Sequence, residues 1–214
     1  MINQIPIVSS TNGNQSSNVD VPEWLINLTP NEHVVYLEVK SLLANARQGT
    51  HKTKQRSDVH GSTRKVVRQK GSGGARHGDR NSPIFIGGGR VFGPTPRDYS
   101  LKINRKEKML AIASAFKDRL LSGVILAVDN FTVCNHKTKE FVRFVKKLNI
   151  TIEGSLIVLD KSDRDAYLGG RNLAGVYIKS ATSVNTLDIL KAQTILFTKD
   201  SLNVFLERIR YVEI

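Results

Sequence analysis

The chain has 214 residues, 40% of them hydrophobic and 24% charged, with a formal net charge of +13 and a pI of about 10.0. That length supports one core plus a long excursion, and so positive a balance points to a polyanionic partner, either nucleic acid or an acidic membrane surface. The single cysteine, Cys134, excludes an intrachain disulfide framework and a cysteine-built zinc site.

The first twenty residues, MINQIPIVSSTNGNQSSNVD, contain no Lys or Arg and no long apolar run, so they do not read as a secretory signal. No apolar stretch in the chain approaches the roughly 20 residues needed to cross a bilayer. The expectation is a soluble, cytoplasmic protein with no membrane partner. Residues 1–20 form a polar N-terminal stretch. Within it, 9–20 are mostly Ser, Thr, Asn, Gln and Gly and predict a mobile lead-in or loop. A helix follows. Thr29 and Glu32 have capping-box spacing, Pro30 suits a first helical turn, and Val35, Val39, Leu42 and Ala46 share one face. Gly49 is its expected stop, and the helix is expected to pack on a core.

The pattern then changes. Residues 47–108 carry sixteen basic and four acidic side chains, which is nearly the whole net charge of the protein. Nine of the 16 glycines fall between Gly61 and Gly93, and apolar periodicity is almost absent until Ile84. A second helix begins at the Asn104–Glu107 pair, buries Met109, Ala113, Phe116 and Leu120, and ends at Gly123. Strands are predicted at 124–128, 156–159, 176–179 and 194–198. Helices are predicted at 136–148 (with Phe141, Val145 and Leu148 inward), 163–170, 186–191 and 201–209. Short, continuously apolar strands separated by helices imply a single α/β domain: a mostly parallel sheet with helices on both faces, interrupted by a long extended basic loop at about 50–95. Such a loop is too long for an ordinary connection.

A Gly-rich, Arg/Lys-rich segment cannot build its own core, but it can order against phosphates, where each neutralised phosphate releases counterions. Glycine lets the backbone approach RNA closely and adopt positive φ. In 68–85 the charge comes from Arg68, Lys70, Arg76 and Arg80. Gln69, Ser72, His77 and Asn81 offer hydrogen bonds to sugars or bases. A merely solvated, charged linker is the bland alternative.

Three ordered stretches narrow the choice: ARQGTxxxKxRxxV at 46–59, RQKGxGxAR at 68–76 and SPxFxGGGxxFGPxPRDYSxKxN at 82–104. Together they closely resemble the universal large ribosomal subunit protein 4 family in its bacterial form. Residues 30–46 and 109–209 agree with it in pattern. The chain departs at Gly74, where the family commonly has a basic residue, and at Val67, where many bacterial members have an aromatic one. The resemblance implies a globular α/β domain on the outer face of the large subunit. It also implies a loop threaded into 23S-type ribosomal RNA, with Gln69, Lys70, Gly71, Ser72, Gly73 and Gly74 at the tip facing the polypeptide exit tunnel. The rRNA-binding residues expected from charge and resemblance are Arg47, Lys52, Lys54, Arg56, Arg64, Lys65, Arg68, Lys70, Arg76, Arg80, Arg90, Arg97, Lys102, Arg105 and Lys106. Pro83, Phe85, Phe92 and Tyr99 are expected to pin the returning arm to the α/β domain. Neighbouring large-subunit proteins and the nascent chain complete the implied partners. Support of subunit assembly is the implied role.

Other constellations point elsewhere. Gly71, Gly73 and Gly74 lack the strand–turn–helix context of a dinucleotide loop. Asp160, Asp163 and Asp165 follow a strand end, where a metal-dependent nuclease could keep its acids. The simpler reading is that Asp160 ends the strand and Ser162 or Asp163 caps the next helix. His33, His51, His60, His77 and His136 lack metal-ligand spacing, Cys134 has no evident catalytic partner, and Trp24 and Phe85 read as apolar anchors. No enzyme, metal, cofactor or small-molecule substrate is expected. A regulatory RNA binder acting on its own messenger, as some family members do, is compatible with the ribosomal role.

Overall fold

The computed structural model describes residues 4–10, 13–131, 136–148, 150–160 and 163–210. Two compact units emerge, Ala44–Ser100 and the chain on either side of it. The larger unit is the α/β domain. Its elements in chain order are β1 (Gln4–Val8), β2 (Gln15–Asp20), α1 (Glu23–Asn27), α2 (Glu32–Asn45), α3 (Arg105–Leu121), β3 (Ile125–Val128) and α4 (Thr138–Lys147). Then come β4 (Ser155–Leu159), α5 (Arg164–Gly170), β5 (Val176–Ser180), α6 (Thr186–Lys191), β6 (Thr194–Thr198) and α7 (Lys199–Ile209). The six strands form one sheet in the order β2-β1-β3-β6-β4-β5. All neighbours are parallel except β1 and β2.

The strand sequences explain the layering. β4 is buried at all five positions, as a central parallel strand covered on both faces must be. Its side chains alternate. Leu156 and Val158 join Ile125, Ala127, Ile195 and Phe197 on one face, under α1, α3, α6 and α7. Ile157 and Leu159 join Leu196 and Val176 on the other, where Phe141 and Val145 of α4 and Ala166 of α5 cover them. On the first face Phe116, Phe197 and Phe205 pack with ring centroids 5.1–5.9 Å apart. Each fully buried ring or aliphatic side chain contributes about 1.5–3 kcal/mol.

Several polar groups inside this unit hold it together. Asp163 caps α5, accepting from the Asp165 amide at 2.9 Å and the Ala166 amide at 3.4 Å. The Ser201 hydroxyl donates to the Val158 carbonyl at 2.8 Å, tying α7 to β4. Three cations serve carbonyls left open where elements end. Lys117 donates to the Ile26 and Leu28 carbonyls, Arg119 to those of Ile189 and Leu190, and Arg208 to those of Ala181 and Val184. Burial lowers the Arg208 pKa from its ordinary value.

Four local expectations need correction. Residues 15–20 are a strand, not a loop. Polar side chains suffice because β2 is an edge strand whose backbone pairs with β1, and only Val19 leans on the core. The β1 strand and the short α1 helix carry too few residues to show a period. The third correction is the start of α2, where the Asn31 side chain accepts from the Val34 amide at 3.2 Å; Thr29 lies outside the helix. Finally, α2 contributes to neither apolar cluster. Its buried residues are Glu38 and Ser41, and the Ser41 hydroxyl donates to the Leu101 carbonyl at 2.7 Å. At α3 the Asn104 amide meets the Glu107 carboxylate at 3.4 Å, with no side-chain bond from Asn104 to the helix backbone.

Candidate nucleic-acid interface

The unit Ala44–Ser100 has no strand and, beyond the end of α2, no helix, because its sequence offers no apolar period to bury. Two arms run beside each other and are joined by their own backbone. The Arg97 amide donates to the Gly49 carbonyl at 3.2 Å, the Thr53 amide to Pro94 at 3.0 Å and the Arg90 amide to Lys54 at 2.9 Å. Within the returning arm the Gly89 amide donates to Asn81, and further out the Val66 amide crosses to Gly78, each at 3.0 Å. Beyond that last bond lies the segment 67–77, which contains the expected tip.

The glycines divide into two kinds. A Cβ at Gly49 would overlap the Arg97 carbonyl, one at Gly89 the Arg56 backbone, and one at Gly93 the Thr53 side chain. These positions are glycine because the arms pass too closely for anything larger. At the tip, by contrast, Gly73 and Gly74 have nothing within 4 Å of an added Cβ. Gly71 and Gly73 have φ of 81° and 67°, so conformation still favours glycine there. Gly74 has neither constraint within this chain.

Side chains reinforce the arms. Asn81 is buried and donates to the Val59 and Gly61 carbonyls at 3.3 and 3.4 Å. This corrects its expected role as a sugar or base contact: its amide is committed inside the protein. His77 is half-buried with its ring 5.1 Å from Phe85. Lys65 bridges Gln69 at 2.7 Å and the His77 carbonyl at 3.1 Å. Asp58 closes a turn by accepting from the Gln55 amide at 3.2 Å. That bond and the Lys52 ammonium at 3.3 Å hold its pKa below the ordinary carboxylate value. Asp98 is lowered likewise by the Ser100 hydroxyl and amide.

All fifteen expected rRNA-binding residues are solvent-exposed. Twelve of them, Arg47 to Arg97, lie in this unit together with only three carboxylates, Asp58, Asp79 and Asp98. Three anions cannot neutralise twelve cations, so the unit keeps a dense positive field. The Arg47 and Arg97 guanidiniums lie 4.6 and 4.3 Å from the centre of the Tyr99 ring, whose hydroxyl meets His51 Nε2 at 3.2 Å. Tyr99 thus positions two arginines, an arrangement that no spacing rule announces. The other three belong to the α/β unit: Lys102 precedes α3, and Arg105 and Lys106 begin it. Cations in a first helical turn oppose the helix dipole, so helix stability does not account for Arg105 and Lys106.

The expected pins are partly overturned. Pro83 is exposed and Phe92 is fully exposed, so neither anchors anything within the unit; only Phe85 and Tyr99 are half-buried. Trp24 packs against the larger apolar cluster of the other unit, as an anchor should.

Asp163 is a helix cap, and Asp165 pairs with His136 at 2.5 Å. Among the described residues no group of three or more His, Cys, Asp or Glu is arranged to hold a metal. Cys134 and Ser162 lie outside the described residues. No described helix is long and apolar enough to cross a membrane.

Comparison with known proteins matches this organisation. Residues 19–208 match the ribosomal protein L4/L1 family. Relatives called large ribosomal subunit protein uL4 include one from Bacteroides fragilis, 45% identical over 184 residues, covering 86% of this chain and 88% of its own length. The Parabacteroides distasonis relative is 46% identical over 186 residues, covering 87% and 89%. That of Amoebophilus asiaticus is 39% identical over 204 residues, covering 95% and 97%. With the family pattern running through both the α/β unit and the basic unit, the chain belongs to the ribosomal protein L4/L1 family.

Proposed function

We propose that this protein is a structural constituent of the large ribosomal subunit, not an enzyme, that binds 23S-type ribosomal RNA and supports subunit assembly in the cytoplasm. The observation that carries the RNA reading is the exposed set of twelve cations on a unit with three carboxylates. Membership of a family whose relatives are named as large-subunit proteins supports the assignment to the ribosome. In this reading the chain is an α/β domain with an inserted RNA-binding loop, and neighbouring large-subunit proteins flank it.

The tip, Gln69 to Gly74, is proposed to reach the exit tunnel wall, near the nascent chain. Supporting this are its exposure, its lack of bulk and its position beyond the last cross-arm backbone bond. Ordering residues 67–77 costs on the order of 10–20 kcal/mol of backbone entropy, which phosphate contacts must offset. The test is co-sedimentation with large subunits, followed by an rRNA titration across salt concentrations. Binding should fall steeply with salt, since several phosphates are neutralised together. A flat response, or failure to sediment at moderate salt, would sink the proposal.

A further inference from the structure

Near the middle of the arms a fully exposed aromatic side chain is held out by the backbone. Residues 91–93 lie between two cross-arm bonds, Arg90 amide to Lys54 carbonyl and Thr53 amide to Pro94 carbonyl. Gly93 approaches Thr53 too closely for a Cβ, so the chain is pressed inward there. Phe92, beside it, has φ of 52° and a relative exposure of 103%. A positive φ in a bulky residue is strained, and a bare phenyl ring in water forfeits its burial energy. Both costs are unexplained by anything inside the unit.

The ring borders a cleft of about 610 Å³, a volume within the range of small-ligand sites. Arg56 and Arg90 line it and Val91 extends its apolar wall, while Gln55, Ser57 and Thr63 add polar groups. At its floor Asp79 is 7% exposed and lies 3.6 Å from the Arg56 Nε, fixing that guanidinium at the rim. The other carboxylate oxygen of Asp79 is buried without a hydrogen-bond partner, so the floor of the cleft is not yet satisfied.

We propose that this cleft seats one unstacked nucleotide of ribosomal RNA, its base on the Phe92 ring and its phosphate on Arg56 and Arg90. The inference rests on the RNA-binding reading above and adds to it a defined base seat away from the tip. Charge selects the occupant. An apolar segment of a neighbouring protein would cover the ring but desolvate two arginines that share the single Asp79 carboxylate, which pairs with Arg56, whereas a nucleotide supplies a π-face and a phosphate together.

The full-length chain and its Phe92→Ala, Phe92→Leu and Arg90→Gln variants are titrated with large-subunit rRNA across salt. The ring is fully exposed, so its loss removes no packing, and unchanged amide exchange at Thr53 and Arg90 verifies that the arms are intact. Phe92→Ala should weaken binding by between about 5-fold and 150-fold, the span of base–aromatic stacking, without changing the log–log salt slope. Phe92→Leu should not restore it. Arg90→Gln should lower the slope by about one phosphate contact. Ultraviolet cross-linking of the wild-type complex should leave a nucleotide adduct within residues 90–93. Wild-type affinity in Phe92→Ala on naked rRNA, or full rescue by leucine, overturns the base seat and in the second case favours an apolar protein partner. Absence of salt-sensitive binding by the wild-type chain would instead overturn the RNA-binding reading itself.

Discussion

Replacing Gly89 by alanine places a Cβ against the Arg56 backbone on the opposite arm. The atoms it would meet are main chain, so no side chain can swing aside and the arms themselves must separate. Overpacking of this kind costs about 1–3 kcal/mol. The cost falls on a unit with little apolar burial, where the bonds from Gly89 to Asn81 and from Arg90 to Lys54 lie beside the substitution. Local opening should therefore become easier by between about 5-fold and 150-fold, while unfolding of the α/β unit is unchanged. Native-state hydrogen exchange reads this directly at the amides of Arg90 and Thr53. Gly74→Ala is the control, since nothing lies within 4 Å of its added Cβ and its φ is not positive. Equal protection of Arg90 in Gly89→Ala and wild type would refute the close-crossing argument. So would a loss of protection in Gly74→Ala as large as that in Gly89→Ala.

In the free protein the amides of 67–77 should exchange at close to unstructured rates and become protected when rRNA binds; strong protection without RNA would defeat coupled folding at the tip. Tyr99→Ala should weaken rRNA binding by about 5- to 30-fold, from two cation–π contacts of roughly 0.5–1 kcal/mol each, while Tyr99→Phe stays close to wild type in a binding titration. Burial raises the Glu38 pKa above its ordinary 4.5, with Lys108 at 3.9 Å opposing the shift. The folded state then holds this proton more tightly than the unfolded chain, so stability falls as pH rises from about 4.5 through the raised folded value. Glu38→Gln should flatten that part of a melting-temperature profile, and an unchanged slope would assign the pH dependence elsewhere. Raising salt should increase amide protection at Thr53 and Arg90 in the free chain, by screening cation repulsion, while lowering rRNA affinity; parallel responses would contradict this.

The α/β half was legible because its signals are local and redundant. β3 to β6 are short apolar runs, and the helices between them show their buried face by spacing, as Phe141, Val145 and Leu148 do in and just beyond α4. β2 was not, because an edge strand is specified by the partner it pairs with, and its own side chains are polar. In the basic unit, charge and glycine content marked the segment proposed as the interface, but composition cannot tell a glycine with open space around it from one that lets two arms cross. Gly89 and Gly74 look alike in sequence and differ only in what a Cβ would meet. The same holds for Asn81, whose amide is turned inward, and for Tyr99, whose value lies in Arg47, fifty-two residues away in sequence.

The two units use their cations in opposite ways. Lys117, Arg119 and Arg208 sit against carbonyls at element ends, where each charge replaces hydrogen bonds that water can no longer make, and removing one would leave buried acceptors unsatisfied. The exposed cations from Arg47 to Arg97 have almost no anions of their own, and their mutual repulsion works against a compact loop. Glycine crossings and backbone bonds hold the arms together despite that repulsion, which leaves the charge uncommitted until a polyanion arrives. A fold that neutralised these residues internally would be more stable alone and would bind RNA less well. On the proposed RNA-binding reading their placement serves assembly with RNA, at the expense of the isolated chain's stability.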